Sequence, residues 1–172
     1  VDRLVDAALE EVRAAGYDGL TVRNVARRAG VAPATAYTYF ASKDHLVAEV
    51  FWRRVAALPE PKVNGRRGAA ARAAGALREI ATILADEPEL AAAATTAILA
   101  NDPDVHRLRA RMGAAVLHRL GATLSPDASP AAIQALALAF SGAMLQAGMG
   151  FLDYRDIGDR MAEVADVVLG RA

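Results

Sequence analysis

The chain contains no cysteine. That excludes a disulfide framework, thiolate metal sites and a cysteine nucleophile, and it fits a reducing, cytoplasmic setting. Net charge is also missing: 20 basic residues balance 20 acidic ones, so any attraction to nucleic acid or an anionic membrane must be local. The three histidines, His45, His106 and His118, are too scattered for metal-ligand spacing. Neither a His-Glu-x-x-His helix nor a glycine-rich phosphate loop occurs, so no metal, cofactor or catalytic residue is expected and the chain does not read as an enzyme. Runs of alternating β-branched residues are absent as well, which leaves an all-α chain. No signal-peptide pattern opens it, because Asp2, Arg3 and Asp6 interrupt the first turns.

What is present is apolar and helical. Hydrophobic residues make up 54% of the 172 and charged residues 23%, enough for one large core or for a small domain joined to a larger one. A first helix spans about Asp2 to Ala15 and stops at Gly16. Thr21 caps a second, Val22 to Ala29, which Gly30 ends; Pro33 opens a third, running to Tyr39 or Phe40. Ser42 caps a fourth, from Lys43 to about Leu58, which connects two domains: residues 1–46, a helix-turn-helix unit, and residues 47–172, a larger helical unit. The stretch 59–68, with two prolines and two glycines, breaks the chain, and helices follow at about 69–86, 88–100, 103–121, 130–152 and 156–170.

Aromatic residues are few, yet Tyr37, Tyr39 and Phe40 fall within four positions. At about 100° per residue, Ala36 and Phe40 point to one side of the third helix while Ala34, Thr35 and Thr38 point to the other. Phe40 therefore reads as core, and the tyrosines sit at opposite edges of the apolar stripe, rings partly buried and hydroxyls outward. Two short helices joined by a Gly-Val turn match the arrangement whose second helix enters the DNA major groove. Between Leu20 and Lys43 there are four basic residues, Arg23, Arg27, Arg28 and Lys43, and no acidic one. Arg23 and Lys43 lie at helix N-termini, where backbone N–H groups also favour phosphate, and Thr21 stands beside the first of these. Ala34, Thr35 and Thr38 are small enough to meet thymine methyls or make single hydrogen bonds to bases.

The run LTVRNVARRAGVAPATAYTYFASKDHL resembles the N-terminal domain of the TetR family of transcriptional regulators, through Leu20, Thr21, Val25, Ala26, Gly30, Val31, Thr35, Tyr37, Tyr39, Phe40, Ser42, Lys43 and Leu46. The resemblance implies an all-α homodimer on a partly palindromic double-stranded operator, with a divergent C-terminal domain that binds an inducer and dimerises. It also implies phosphate contacts at Tyr37, Tyr39 and Lys43 and groove contacts around Thr35. Two positions depart from the pattern. Ala32 stands where a capping serine is common, a loss typically worth ~1 kcal/mol, and Ala36 replaces a larger aliphatic residue.

The segment Ser129 to Leu152 carries no charge, but its alanines, glycines, Gln134, Ser141 and Gln146 favour a helix covered by protein over a membrane span. Ile133, Leu136, Phe140, Met144, Ala147 and Phe151 make its bulky face. Ala135, Ala139, Gly142, Ala143, Gln146 and Gly150 make a face of small residues, which together with Met161, Val164 and Val168 of the last helix is the expected dimer interface. By similarity to the family, a pocket for a small, largely apolar effector would be lined by Leu77, Ile80, Leu84, Met112, Val116, Phe140 and Met144, with Thr95, His118 or Ser141 as polar contacts. Plain core packing and a solvent-facing His118 are the competing readings. The basic run Lys62, Arg66, Arg67, Arg72 and Arg78 reads as a solvated face. The expectation is a ligand-released repressor; an activator, or a regulator without an inducer, is the alternative, and an all-α enzyme or binding module a remote one.

Overall fold

The computed structural model describes residues 1–61 and 67–170, so Lys62 and Arg66 of the basic run lie outside the described residues. Nine α-helices and no strand occur among them: α1 (Asp2–Gly19), α2 (Val22–Ala29), α3 (Pro33–Tyr39), α4 (Lys43–Ala56), α5 (Ala69–Ala85), α6 (Pro88–Ile98), α7 (Pro103–Leu124), α8 (Pro130–Gly148) and α9 (Ile157–Leu169). Gly16 interrupts α1 with φ +64°, so Tyr17–Gly19 form a separate last turn.

The chain divides into two compact units, residues 1–56 with 87–111 and residues 57–86 with 112–172. Packing and motif therefore draw different lines: the expected boundary at residue 46 follows the helix-turn-helix, whereas α4, α6 and the start of α7 are packed with it. In the first unit Leu4, Val5, Ala8 and Val12 of α1 and Leu46, Val47, Val50 and Phe51 of α4 are buried. Helix α6 lies against both helices. Its Ala93, Ala94 and Ala97 are fully buried, and their small side chains allow that close approach.

Both ends of α6 are tied down by carboxylates. Glu87 receives hydrogen bonds from Arg13 of α1, one of them 2.9 Å long, and lies 3.3 Å from Arg54 of α4. Beyond the other end, Asp102 accepts from Ser42 Oγ at 2.6 Å and caps α7 through Asp104 N at 2.8 Å. The Arg13 hydrogen bond holds the Glu87 carboxyl below its ordinary value of 4.5, and the Ser42 hydrogen bond holds Asp102 below 3.8. A carboxyl depressed in the folded state adds stability above its unfolded value and loses it as pH falls through the folded one. Glu87→Gln should thus lower the melting temperature at neutral pH and flatten its decline at acid pH. An unchanged acid slope in a melting series would remove Glu87 from that account.

In the second unit α9 packs along α5 and against α8. Leu77, Ile80, Leu84, Leu120, Leu136, Phe140, Ile157 and Met161 form the core. Helix α8 stops at Gly148, short of the expected 152, because Gly150 takes a left-handed φ of +80° and turns the chain. Gly150 and Phe151 consequently belong to neither helical face, and Phe151 is 79% exposed rather than inward.

Candidate nucleic-acid interface

Local sequence builds the helix-turn-helix of the first unit. Thr21 Oγ1 accepts from Asn24 N at 3.0 Å and so caps α2. At the other end Gly30 adopts φ +66°, its N–H bonding Arg27 O at 3.2 Å while Val31 N bonds Ala26 O at 3.0 Å. These two crossed bonds satisfy the last carbonyls of α2 and require the left-handed residue that glycine supplies. Arg3 of α1 donates to Ala29 O at 2.5 Å and closes the same end.

Helix α3 has weaker local support. Ala32 offers no side-chain cap, Pro33 occupies its first turn, and Ala36 is the buried residue within it. Phe40, immediately after the helix, is 2% exposed and meets the His45 ring edge-on at 5.2 Å. Tyr37 and Tyr39 are 52% and 49% exposed, as their positions at the rim of the stripe predict. Ala34, Thr35 and Thr38 face solvent together. Thr38 Oγ1 donates to Ala34 O at 3.1 Å, so the hydroxyl proton stays within the helix and its methyl and lone pairs face outward.

The four basic residues of the linear patch have different fates in space. Arg23 is exposed and makes no hydrogen bond or ion pair among the described residues. Arg27 is held by Asn24 Oδ1 at 3.0 Å, with no acidic partner. Arg28, by contrast, donates to the buried Glu11 of α1 at 2.8 Å, so its charge is locally neutralised. Lys43 is half-buried, with Nζ 3.1 Å from Tyr17 O and 4.0 Å from the Tyr17 ring centroid. Four charges counted along the chain thus become two without acidic partners, Arg23 and Arg27, and a third, Lys43, resting on Tyr17. Sequence reasoning missed Tyr17 because its partners lie more than twenty residues away.

The two other predicted sets scatter more. Leu77, Ile80, Leu84 and Phe140 are buried and Met112, Val116 and Met144 half-buried in the second unit, while Thr95 belongs to the first and donates to Ala91 O at 2.9 Å. His118 is exposed beside Glu60 at 3.2 Å, and Ser141 is exposed and bonds Ala137 O at 2.9 Å. A cleft of about 450 Å³ does occur in the second unit, but Arg67, Arg72, Arg78, Glu79, Thr82 and Thr123 line it and none of the predicted residues does. Arg72 and Arg78 are paired there with Asp127 and Asp159.

On α8 and α9, Ala135, Gly142 and Gln146 are exposed, Ala139, Ala143, Val164 and Val168 are partly so, and Gly150 lies in the turn beyond. Met161 is fully buried within its own unit and is removed from the interface set. The open stripe of α8 also carries Leu138, 68% exposed, with Leu145 and Met149 about two and three turns further along it, and α9 adds exposed Val167.

Residues 4–50 match the family described as bacterial regulatory proteins, tetR family. Over 99% of its length the chain is 43% identical to an uncharacterized HTH-type transcriptional regulator of Mycobacterium tuberculosis, covering 80% of that protein. The chain belongs to the TetR family. It is therefore a DNA-binding transcriptional regulator built on a helix-turn-helix. The HTH-type transcriptional repressor KstR of Rhodococcus jostii is 29% identical over 98% of this chain and 82% of its own. A TetR transcriptional regulator from Rhodococcus sp. RHA1 shares the fold with a TM-score of 0.76 at 23% identity, covering 99% of this chain and 95% of that one. FadR of Bacillus subtilis, solved in complex with stearoyl-CoA, shares it at 0.60 and 17% identity, covering 98% and 95%.

Proposed function

We propose that this TetR-family regulator is a cytoplasmic homodimeric repressor that leaves its operator when a small, largely apolar molecule binds the C-terminal part of the chain. The observation that carries the DNA-binding side is the surface of α3: three small exposed side chains, Ala34, Thr35 and Thr38, rimmed by two half-exposed tyrosines. Such a surface lets the helix enter the major groove, with Ala34, Thr35 and Thr38 meeting base edges while Tyr37, Tyr39, Lys43, Arg23 and the Thr21 helix start meet phosphates. Repression is supported by the likeness to KstR, and the apolar character of the effector by the aliphatic and aromatic side chains of Leu77, Ile80, Leu84 and Phe140. Leu77, Ile80, Leu84, Met112, Val116, Phe140 and Met144 remain the residues proposed to part around that effector. Its binding would favour a separation of the two recognition helices that no longer fits major grooves about 34 Å apart.

The homodimer is supported by the open stripe of α8. By length and composition this helix could cross a membrane. Its Leu136, Phe140 and Ala147 are instead committed to the second unit's core. A second copy pressed against Ala135, Leu138, Ala139, Gly142, Leu145 and Gln146 would cover the rest.

The division of labour on α3 is tested with an operator selected from random sequence. Lys43→Ala and Tyr37→Phe should weaken binding at every sequence alike, with the Lys43 variant lowering the salt slope by about one. Thr35→Val and Thr38→Val should shift base preference by about 1 kcal/mol, the low end for a base contact. Equal loss of specificity from both pairs would contradict the assignment.

A further inference from the structure

Lys43 reaches Tyr17 across 26 residues of sequence, and the contact is made twice. The ammonium donates to the Tyr17 carbonyl oxygen at 3.1 Å and stands 4.0 Å from the centre of the Tyr17 ring. Tyr17 is itself held, since its hydroxyl donates to a carboxylate oxygen of Asp44, the neighbour of Lys43. The left-handed Gly16 sets this up by ending the main run of α1 and swinging Tyr17–Gly19 into a turn of their own. Leu20 N, at 3.3 Å from the same Tyr17 oxygen, fixes that turn.

We propose that Tyr17 is a positioning residue for DNA binding, holding the Lys43 ammonium in place for a phosphate while Asp44 locks the ring. The inference rests on the reading of Lys43 as a phosphate contact. A lysine ammonium has three donors, and only one is spent on Tyr17 O, so two remain for phosphate oxygens. The aromatic face attracts the cation without neutralising it, unlike the carboxylate that neutralises Arg28. Lysine is among the side chains that lose most rotamer freedom on being fixed, and a lysine already settled on a ring loses less when DNA arrives. The Tyr17 hydroxyl performs a second task, because its bond to Asp44 locks the ring in place against the Lys43 ammonium. Burial, with Asp44 adding to it, pushes the Tyr17 phenol up to about 12, so the ring remains a neutral donor at any working pH.

Affinity for a mixed-sequence duplex longer than the spacing of two half-sites, measured by fluorescence anisotropy at two salt concentrations, tests this through a double-mutant cycle. Tyr17→Leu should weaken binding about three- to tenfold in the otherwise unchanged chain. Tyr17→Phe, which keeps ring and shape but frees Asp44, should weaken it about two- to threefold and is the variant to use if leucine impairs folding. Both losses should vanish in the Lys43→Ala background, where a purely structural tyrosine would still cost the same factor. Persistence of the full loss in that background, or wild-type affinity of both Tyr17 variants, overturns the inference. Lys43→Ala with unchanged affinity and salt slope would instead overturn the phosphate role of Lys43 on which it rests.

Discussion

Phe40→Ala is expected to cost about 3–5 kcal/mol of stability, the usual price of emptying a buried phenylalanine site, and to weaken DNA binding by about tenfold or more as the docked fraction of α3 falls. The reason lies in how little else holds the recognition helix. Seven residues are too few for a helix to stand alone in water. Ala32 gives it no side-chain cap, and Ala36 buries only a methyl group. Phe40 follows directly, its N–H bonding Ala36 O at 2.9 Å and its ring buried against His45. The same residue thus ends the helix through its backbone and anchors it through its ring. Phe40→Leu, which keeps most of the volume, should cost about 1 kcal/mol and retain most of the affinity. Urea unfolding midpoints and anisotropy titrations with operator DNA read the two effects separately. Wild-type affinity in a Phe40→Ala protein with the expected fall in midpoint would show that Phe40 supports the unit as a whole and not α3 in particular.

The helices were legible because their ends carry chemistry that acts within a few residues. Thr21, Gly30, Pro33, Pro88, Pro103 and Pro130 each stand at the helix end where they were read. The wheel of α3 was legible for the same reason, since buried Ala36 and Phe40 and half-exposed Tyr37 and Tyr39 follow from a fixed angle per residue. Illegible were pairings across the fold. Nothing in the sequence couples Arg28 to Glu11, or Lys43 to Tyr17, so a linear count of basic residues overstated the free charge on this face. Met161 failed as an interface residue because a helical wheel gives direction about its own axis and not which neighbour, α5 or a second subunit, lies there. Leu138, Leu145 and Met149 are large exposed side chains that no expected face of α8 includes, though they lie on the same stripe as its small residues.

That stripe carries the prediction with the widest consequence. Leu138→Glu should convert the protein from dimer to monomer in solution and reduce its affinity for a two-half-site operator by about a hundredfold or more, as the second recognition helix loses its tether. In the single chain Leu138 is 68% exposed, so a glutamate there meets water and the fold of each unit is left intact. Pressed against a second copy, the same carboxylate is buried without a partner, a change that typically costs several kcal/mol. Val167→Glu, on the exposed side of α9, should act in the same direction. Leu136→Glu is the contrasting variant, because Leu136 is fully buried in the second unit and its replacement should unfold that unit whatever the subunit count. Light scattering after size exclusion, with titrations of one-half-site and two-half-site duplexes, separates the cases: the Leu138 variant should keep the affinity of a single half-site and lose only the advantage of the second. A Leu138→Glu protein that stays dimeric would place the subunit interface elsewhere and leave the open face of α8 without this partner.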